Sequence, residues 1–166
     1  MARTSSDGDL VLLAEQDRRL WDRRRIAEGS SLLVRAVAAG RVGPFTLQAA
    51  IAEAHAVADA ADATDWGHIV ALYDLLARLD PTPVVHLNRA VAVAMRDGPE
   101  AGLAIIKPLV DGELRQDHLA WCAHADLLRR LGRSAESRAS YERALDFTMQ
   151  EPERRFLERR LRDMER

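Results

Sequence analysis

An all-α chain built from repeated helix pairs is what these 166 residues predict. Two observations carry the expectation. Thr64–Pro81, Val84–Val110 and His118–Leu145 superpose at a period of 34 residues, placing Gly98 one period before Gly132 and Tyr73 two periods before Tyr141. Between punctuating glycines and prolines the apolar residues recur at helical spacing, and no segment sustains the alternation of a strand.

The elements follow in order. After the turn signal Asp7-Gly8-Asp9, the apolar run Leu10–Leu13 is extended or a brief helical turn. A first long helix is expected from about Asp22 to Ala39, stopped by Gly40, with Ile26, Leu33 and Val37 on its apolar face. Pro44 suits the first turn of an alanine-rich helix reaching about Asp59. Thr64-Asp65 caps the next, whose stripe is Trp66, Ile69, Leu72, Tyr73, Leu76 and Leu79. Pro81-Thr82-Pro83 ends it and begins a helix from Val84 to Met95. Pro99 opens a short helix through Ile106, which Pro108 is expected to terminate or bend. A helix from about Gln116 to Leu131 ends at Gly132, and Ser134 with Glu136 starts another through Phe147. Pro152 opens the last, where Phe156, Leu157, Leu161 and Met164 form an apolar stripe between charges.

Thirty-four residues is the length of a tetratricopeptide repeat, a helix–turn–helix unit that stacks into a solenoid. Trp121, Ala125, Leu128, Gly132, Ser137, Tyr141 and Ala144 occupy the places such a unit reserves for packing residues and its turn. The preceding unit offers Leu87, Val91, Ala94 and Gly98 but has Lys107 where the aromatic belongs. The predicted architecture is therefore a right-handed, tetratricopeptide-like solenoid of antiparallel helix pairs with a C-terminal capping helix. Residues 1–21 read as an extended linker packing on the body and residues 22–166 as the repeat domain. Leu10, Leu12, Leu13, Leu20 and Trp21 would otherwise leave a large apolar patch on water, so Asp7–Asp22 is expected to dock. Trp21 is the strongest anchor by area, with Leu12 and Leu13 beside it.

The formal net charge of −2 gives no global basic field for non-specific nucleic-acid binding. A single cysteine, Cys122, excludes an intrachain disulfide and fits a reducing cytoplasm. The polar start lacks the apolar run of a signal peptide, and no membrane span is expected.

Repeat positions that line a concave face give a candidate groove: Val85, Asn88, Ala92 and Met95, then Leu119, Cys122, Asp126 and Arg129, with Ile51, Ala54 and Ala58 from the helix before. Asn88-Arg89 interrupts an apolar run, and two readings stay open. Asn88 makes an interhelical hydrogen bond while Arg89 snorkels to water, or the pair anchors a partner's backbone or carboxylate. The predicted partner-binding residues are thus Asn88, Arg89, Asp126, Arg129, Val85 and Met95.

Chemistry-bearing constellations are not apparent. His55, His68, His86, His118 and His124 form no H-x-x-x-H pair, and nothing completes a metal set. Asp7, Asp9 and Glu15 suggest a calcium loop until the required acidic twelfth position turns out to be Arg18. No phosphate loop, nucleophile elbow or dinucleotide fingerprint occurs, so no catalytic residue, cofactor or metal is assigned and the chain is not read as an enzyme. Arg18-Arg19 and Arg23-Arg24-Arg25 flank Trp21, interleaved with Glu15, Asp17, Asp22 and Glu28. A solvated, ion-paired face is the reading given to them.

Longer motifs stand together along the chain: Asp7-Gly8-Asp9-Leu10-Val11-Leu12-Leu13, Leu20-Trp21-Asp22-Arg23, and Gly43-Pro44-Phe45-Thr46-Leu47-Gln48-Ala49-Ala50-Ile51-Ala52. So do Thr64-Asp65-Trp66, Leu87-Asn88-Arg89-Ala90-Val91-Ala92-Val93-Ala94 and Glu151-Pro152-Glu153-Arg154-Arg155-Phe156-Leu157. The sequence resembles the C-terminal extension of bacterial extracytoplasmic-function (ECF) RNA polymerase sigma factors that carry a tetratricopeptide-like domain. The resemblance implies a regulatory, protein-binding domain whose partner is the sigma core in cis, RNA polymerase or a regulator. DNA would be reached only through the promoter-reading and polymerase-binding domains, which are missing here. It also implies a fragment cut just before Asp7, with Met1 an added or internal start. The alternative is a free-standing repeat adaptor for a cytosolic protein or peptide.

Overall fold

Four side-chain caps set the starts of the helices. Asp22, Asp65, Thr82 and Asp117 each accept a hydrogen bond from the backbone N–H three residues on, satisfying a donor that the first turn leaves orphaned. The computed structural model describes residues 10–164, and among them eight α-helices follow one another. They are α1 (Arg23–Ala38), α2 (Pro44–Val57), α3 (Trp66–Leu79), α4 (Pro83–Asp97), α5 (Pro99–Asp111), α6 (His118–Arg130), α7 (Ser134–Phe147) and α8 (Glu151–Asp163). Two short 3-10 turns, Leu13–Glu15 and Arg18–Leu20, precede them. The chain is all-helical, as the sequence predicts, and among the described residues no helix is long and apolar enough to cross a membrane. Asp7–Asp9, the start of the segment expected to dock, lies outside the described residues.

Prolines open α2, α4, α5 and α8 in the first turn, where their missing N–H costs nothing. Gly98 (φ 102°) and Gly132 (φ 72°) make the reversals from α4 to α5 and from α6 to α7, in a region that a Cβ disfavours. The two turns lie one 34-residue period apart. Pro108 departs from expectation: α5 does not end near Ile106 but runs through it to Asp111. Proline at that place deprives the Ala104 carbonyl of its helical partner. Ala104 is exposed, so water can serve that carbonyl, and the buried side of the helix stays intact.

Each helix packs on the next in sequence, and α4 also touches α6. Three apolar clusters run along this row. Leu47, Ile51, Ile69, Leu76 and Val85 join α2 to α4; Leu87, Ala90, Leu103, Ile106 and Leu128 join α4 to α6; Ala125, Tyr141, Ala144 and Leu157 join α6 to α8. Full burial of each large aliphatic among them stabilises by about 1.5–3 kcal/mol. Gly102 sets the approach of α5 to α4. A Cβ there would stand 2.7 Å from the Ala90 carbonyl and collide with the Ala94 methyl.

Candidate protein-binding surfaces

Phase decides which side of α4 is open. Pro83 and the Thr82 cap place Val85, Ala92 and Val93 in the α2–α4 core, while Val84, Asn88, Val91 and Met95 form an exposed stripe at helical spacing. Val85 is 6% exposed and Ala92 1%, so both leave the predicted groove, as does the buried Ile51 of α2. The sequence reading kept Asn88 and Met95 but assigned the positions beside them one residue late. Val84 and Val91 were the residues missed, and the spacing i, i+4, i+7, i+11 through Asn88 could have found them.

Arg89 points elsewhere. Its Nε lies 2.6 Å from Asp74 Oδ1, an ion pair that ties α4 to α3. On α6, Leu119 and Arg129 are exposed, and Cys122 and Asp126 are half-buried. Arg129 Nη2 donates to Asp126 Oδ1 at 2.6 Å, and that carboxylate, with a lesser contribution from Tyr141, raises the Arg129 pKa further above its usual value. α4 contacts α6 directly, and the α6 residue that meets the Met95 end of the Val84, Asn88, Val91 and Met95 stripe is Arg130, while Arg129 has Asp126 and Tyr141 of α7 beside it. Arg130 reinforces the junction, reaching the Ala94 carbonyl at 3.5 Å and Met95 Sδ at 3.5 Å.

The far end of the row is closed by α8. Leu157 sits over Ala125, Tyr141 and Ala144, and His118 Nε2 lies 3.0 Å from Glu153 Oε2. Burial pushes the Cys122 thiol up to about 12, with Glu153 and Asp117 adding to the effect, so the thiol stays protonated. Val91 occupies the place one period before Ala125, yet Val91 is exposed where Ala125 is fully buried in the cluster that holds Leu157. Among the described residues no group of three histidine, cysteine, aspartate or glutamate side chains could hold a metal ion.

The N-terminal segment reaches from α8, where Leu10 and Glu15 border a cleft with Phe156, Arg159, Arg160 and Asp163, to the C-terminus of α2. Leu12 and Trp21 are half-buried, and Leu13 is 41% exposed. The principal anchor is Arg18, which is 7% exposed. Its Nη1 donates to the carbonyls of His55 and Ala58 at the C-terminus of α2, and its guanidinium stacks 4.8 Å above the Trp21 ring. Helix C-termini leave carbonyls unpaired and carry partial negative charge, so a cation is the fitting plug. The expectation that Arg18 belongs to a solvated face is overturned. Its neighbour Arg19 does behave that way, paired with Asp17 on the surface. The missed signal was the spacing of Arg18 and Trp21, three residues apart, which a 3-10 turn stacks on one side.

His55 completes this contact. Its ring meets Trp66 edge-on at 5.3 Å, and its pKa is lowered by burial and secondarily by the nearby Arg18 charge. The imidazole is thus held neutral against the segment's cation.

Residues 1–37 match a family of unknown function (DUF6596). The match spans the N-terminal segment and nearly all of α1. An uncharacterised protein of Rhizobium meliloti (strain 1021) is 46% identical over 145 residues, covering 87% of this chain and 34% of the relative. The chain therefore spans about a third of the length of that relative. No solved structure matches.

Proposed function

We propose that this chain is a right-handed, tetratricopeptide-like solenoid capped by α8, and that it serves as the regulatory protein-interaction domain of an ECF-type sigma factor. Packing of each helix on its sequence neighbours, with the α4–α6 contact and two glycine turns one period apart, supports the solenoid. The observation that carries the binding role is the exposed stripe Val84, Asn88, Val91 and Met95 on α4, which offers apolar contacts around one amide. An amide side chain on such a surface can both donate to and accept from a partner's backbone. The sigma-factor assignment is supported by the motif resemblance and by the match of residues 1–37 to a family found in sigma-factor-associated proteins. The partner is then the sigma core in cis, RNA polymerase or a regulator.

Substituting Asn88→Ala together with Arg129→Ala tests this surface. The side chains of the Asp126–Arg129 pair are each 42% accessible, and such solvent-reached pairs stabilise by about 0–1 kcal/mol, so the variant should keep its helical content and melt close to the parent. Binding to the isolated sigma core or to RNA polymerase should weaken. Normal binding with much earlier melting would assign the two residues a structural role instead.

A further inference from the structure

Arrays of stacked helices hold together through neighbours alone, so stacking by itself fixes weakly how far the first and last units stand apart. The helices here follow that rule. α2 packs on α1 and α3, while α8 packs on α7 and reaches Ala125 of α6 through Leu157. Among the described residues no helix-to-helix contact joins α8 to α2. The N-terminal segment does join them. Leu10 and Glu15 share a cleft with Phe156, Arg159, Arg160 and Asp163 of α8, and Arg18 donates to the His55 and Ala58 carbonyls where α2 ends.

The tether is short. Three residue steps separate Glu15 from Arg18, and a fully extended chain spans at most about 10–11 Å over that length. Even from Leu10 to Arg18 the limit is about 26–29 Å. Two 3-10 turns, Leu13–Glu15 and Arg18–Leu20, shorten and stiffen the segment further. Beyond Arg18 the chain enters α1 at the Asp22 cap, and α1 packs on α2, so this end is pinned twice. At the other end Glu15 brings one carboxylate to a cleft where α8 supplies two guanidinium groups and one carboxylate. The net attraction there favours keeping the segment against α8.

We propose that residues 10–21 are a clasp that ties α8 to the end of α2 and limits how far the helix row can open. α4 and α6 lie between the clasped ends, so the clasp restrains the angle at which they meet. Freed at either end, the segment no longer limits the row, and α8 moves away from α2 by small bends spread over the neighbour contacts from α3 to α7. The two ends differ in strength. Arg18 is buried and holds two carbonyls, whereas Glu15 is exposed and Leu10 is 39% exposed. The α8 end is therefore the one that lets go first. The clasp is independent of the binding role proposed above, since it rests on contacts within this chain.

Double electron–electron resonance on the whole 166-residue chain, spin-labelled at Ala52→Cys of α2 and Arg162→Cys of α8, reads the separation directly; both positions are exposed. Cys122 is half-buried with its thiol protonated, so it labels slowly, and the chain without the added cysteines measures what it contributes. The parent should give one narrow distance. Arg18→Ala and, separately, Glu15→Arg should each add a longer population, while Arg19→Ala, on the surface beside Asp17, leaves the distribution unchanged. Glu15→Arg changes only an exposed side chain, so it tests the clasp even where circular dichroism shows Arg18→Ala unfolded. An unchanged distance in Glu15→Arg and in a folded Arg18→Ala would overturn the proposal. So would a segment that hydrogen exchange shows released in Arg18→Ala while the α2–α8 distance stays put, which would make it a passive tail. Equal opening in Arg19→Ala would do the same.

Discussion

Removing the Arg18 guanidinium should release the N-terminal segment without unfolding the helices. In Arg18→Ala, two hydrogen bonds from a charged donor to the His55 and Ala58 carbonyls disappear, together with the stack on Trp21. Hydrogen bonds to charged groups contribute about 1.5–3 kcal/mol each before offsets, and an exposed-to-half-buried cation–π contact about 0.5–1. Against this stand the desolvation of a cation that is 7% exposed, whose Nη2 has no partner, and the entropy of ordering the segment. A net loss of about 2–3 kcal/mol in the closure of the segment follows, equivalent to roughly 30- to 150-fold in its opening equilibrium. Hydrogen exchange read by mass spectrometry should therefore accelerate by that factor in peptides spanning Leu20–Trp21 and the Ala58 region, while α4–α7 exchange as before. Arg18→Lys should recover part of the protection, since one ammonium nitrogen can donate to both carbonyls as Nη1 does but loses the planar stack on Trp21. If exchange in the segment is unchanged in Arg18→Ala, the anchor is not Arg18. If protection falls equally in α6, the segment is part of the global fold and the reasoning about a separable dock fails.

Two further outcomes follow from the packing and the histidines. Gly102→Ala should destabilise by about 1–3 kcal/mol through overpacking against Ala90 and Ala94, lowering the melting temperature by roughly 2–12 °C for a chain of this size; an unchanged melting curve would show that α5 can slide away at no cost. His55 and His124 both have lowered pKa values from burial, with Arg18 and Lys107 respectively adding to it. The unfolded chain then binds more protons than the folded one below about pH 6.5, so stability is fully present above that pH and declines as pH falls toward the depressed folded values. Urea unfolding at successive pH values should show this decline, and His55→Gln with His124→Gln should flatten it; a stability that rises on acidification would reverse the assignment.

Helix punctuation was the most legible layer of this sequence, because caps, prolines and glycines act locally. Asp22, Asp65 and Thr82 each accept their backbone hydrogen bond where the residue types put them, and Gly40, Gly98 and Gly132 take positive φ. Of the two effects expected of Pro108, termination does not occur, because on the exposed side of α5 the freed Ala104 carbonyl is open to water. The groove was half legible. Asn88 and Met95 are exposed as the repeat register implies, but a one-residue error in phase carried Val85 and Ala92 into the core, since 3.6 residues per turn turns one step into a large rotation. Arg89 was read from its polarity alone, and its partner Asp74 lies on another helix, a pairing that local pattern does not encode. Arg18 escaped for the same reason. Its acceptors are backbone carbonyls 37 and 40 residues away, and carbonyls leave no mark in a sequence.

We propose above that this domain binds the sigma core or RNA polymerase through its exposed α4–α6 surface. Label-free binding of the intact chain to the isolated core of an ECF sigma factor, and to RNA polymerase, tests that proposal most directly. The account predicts saturable binding to one of the two that is weakened by Asn88→Ala with Arg129→Ala and left in place by a surface change on α8 such as Arg162→Ala. Absence of binding to both, by a chain that remains folded, would contradict it.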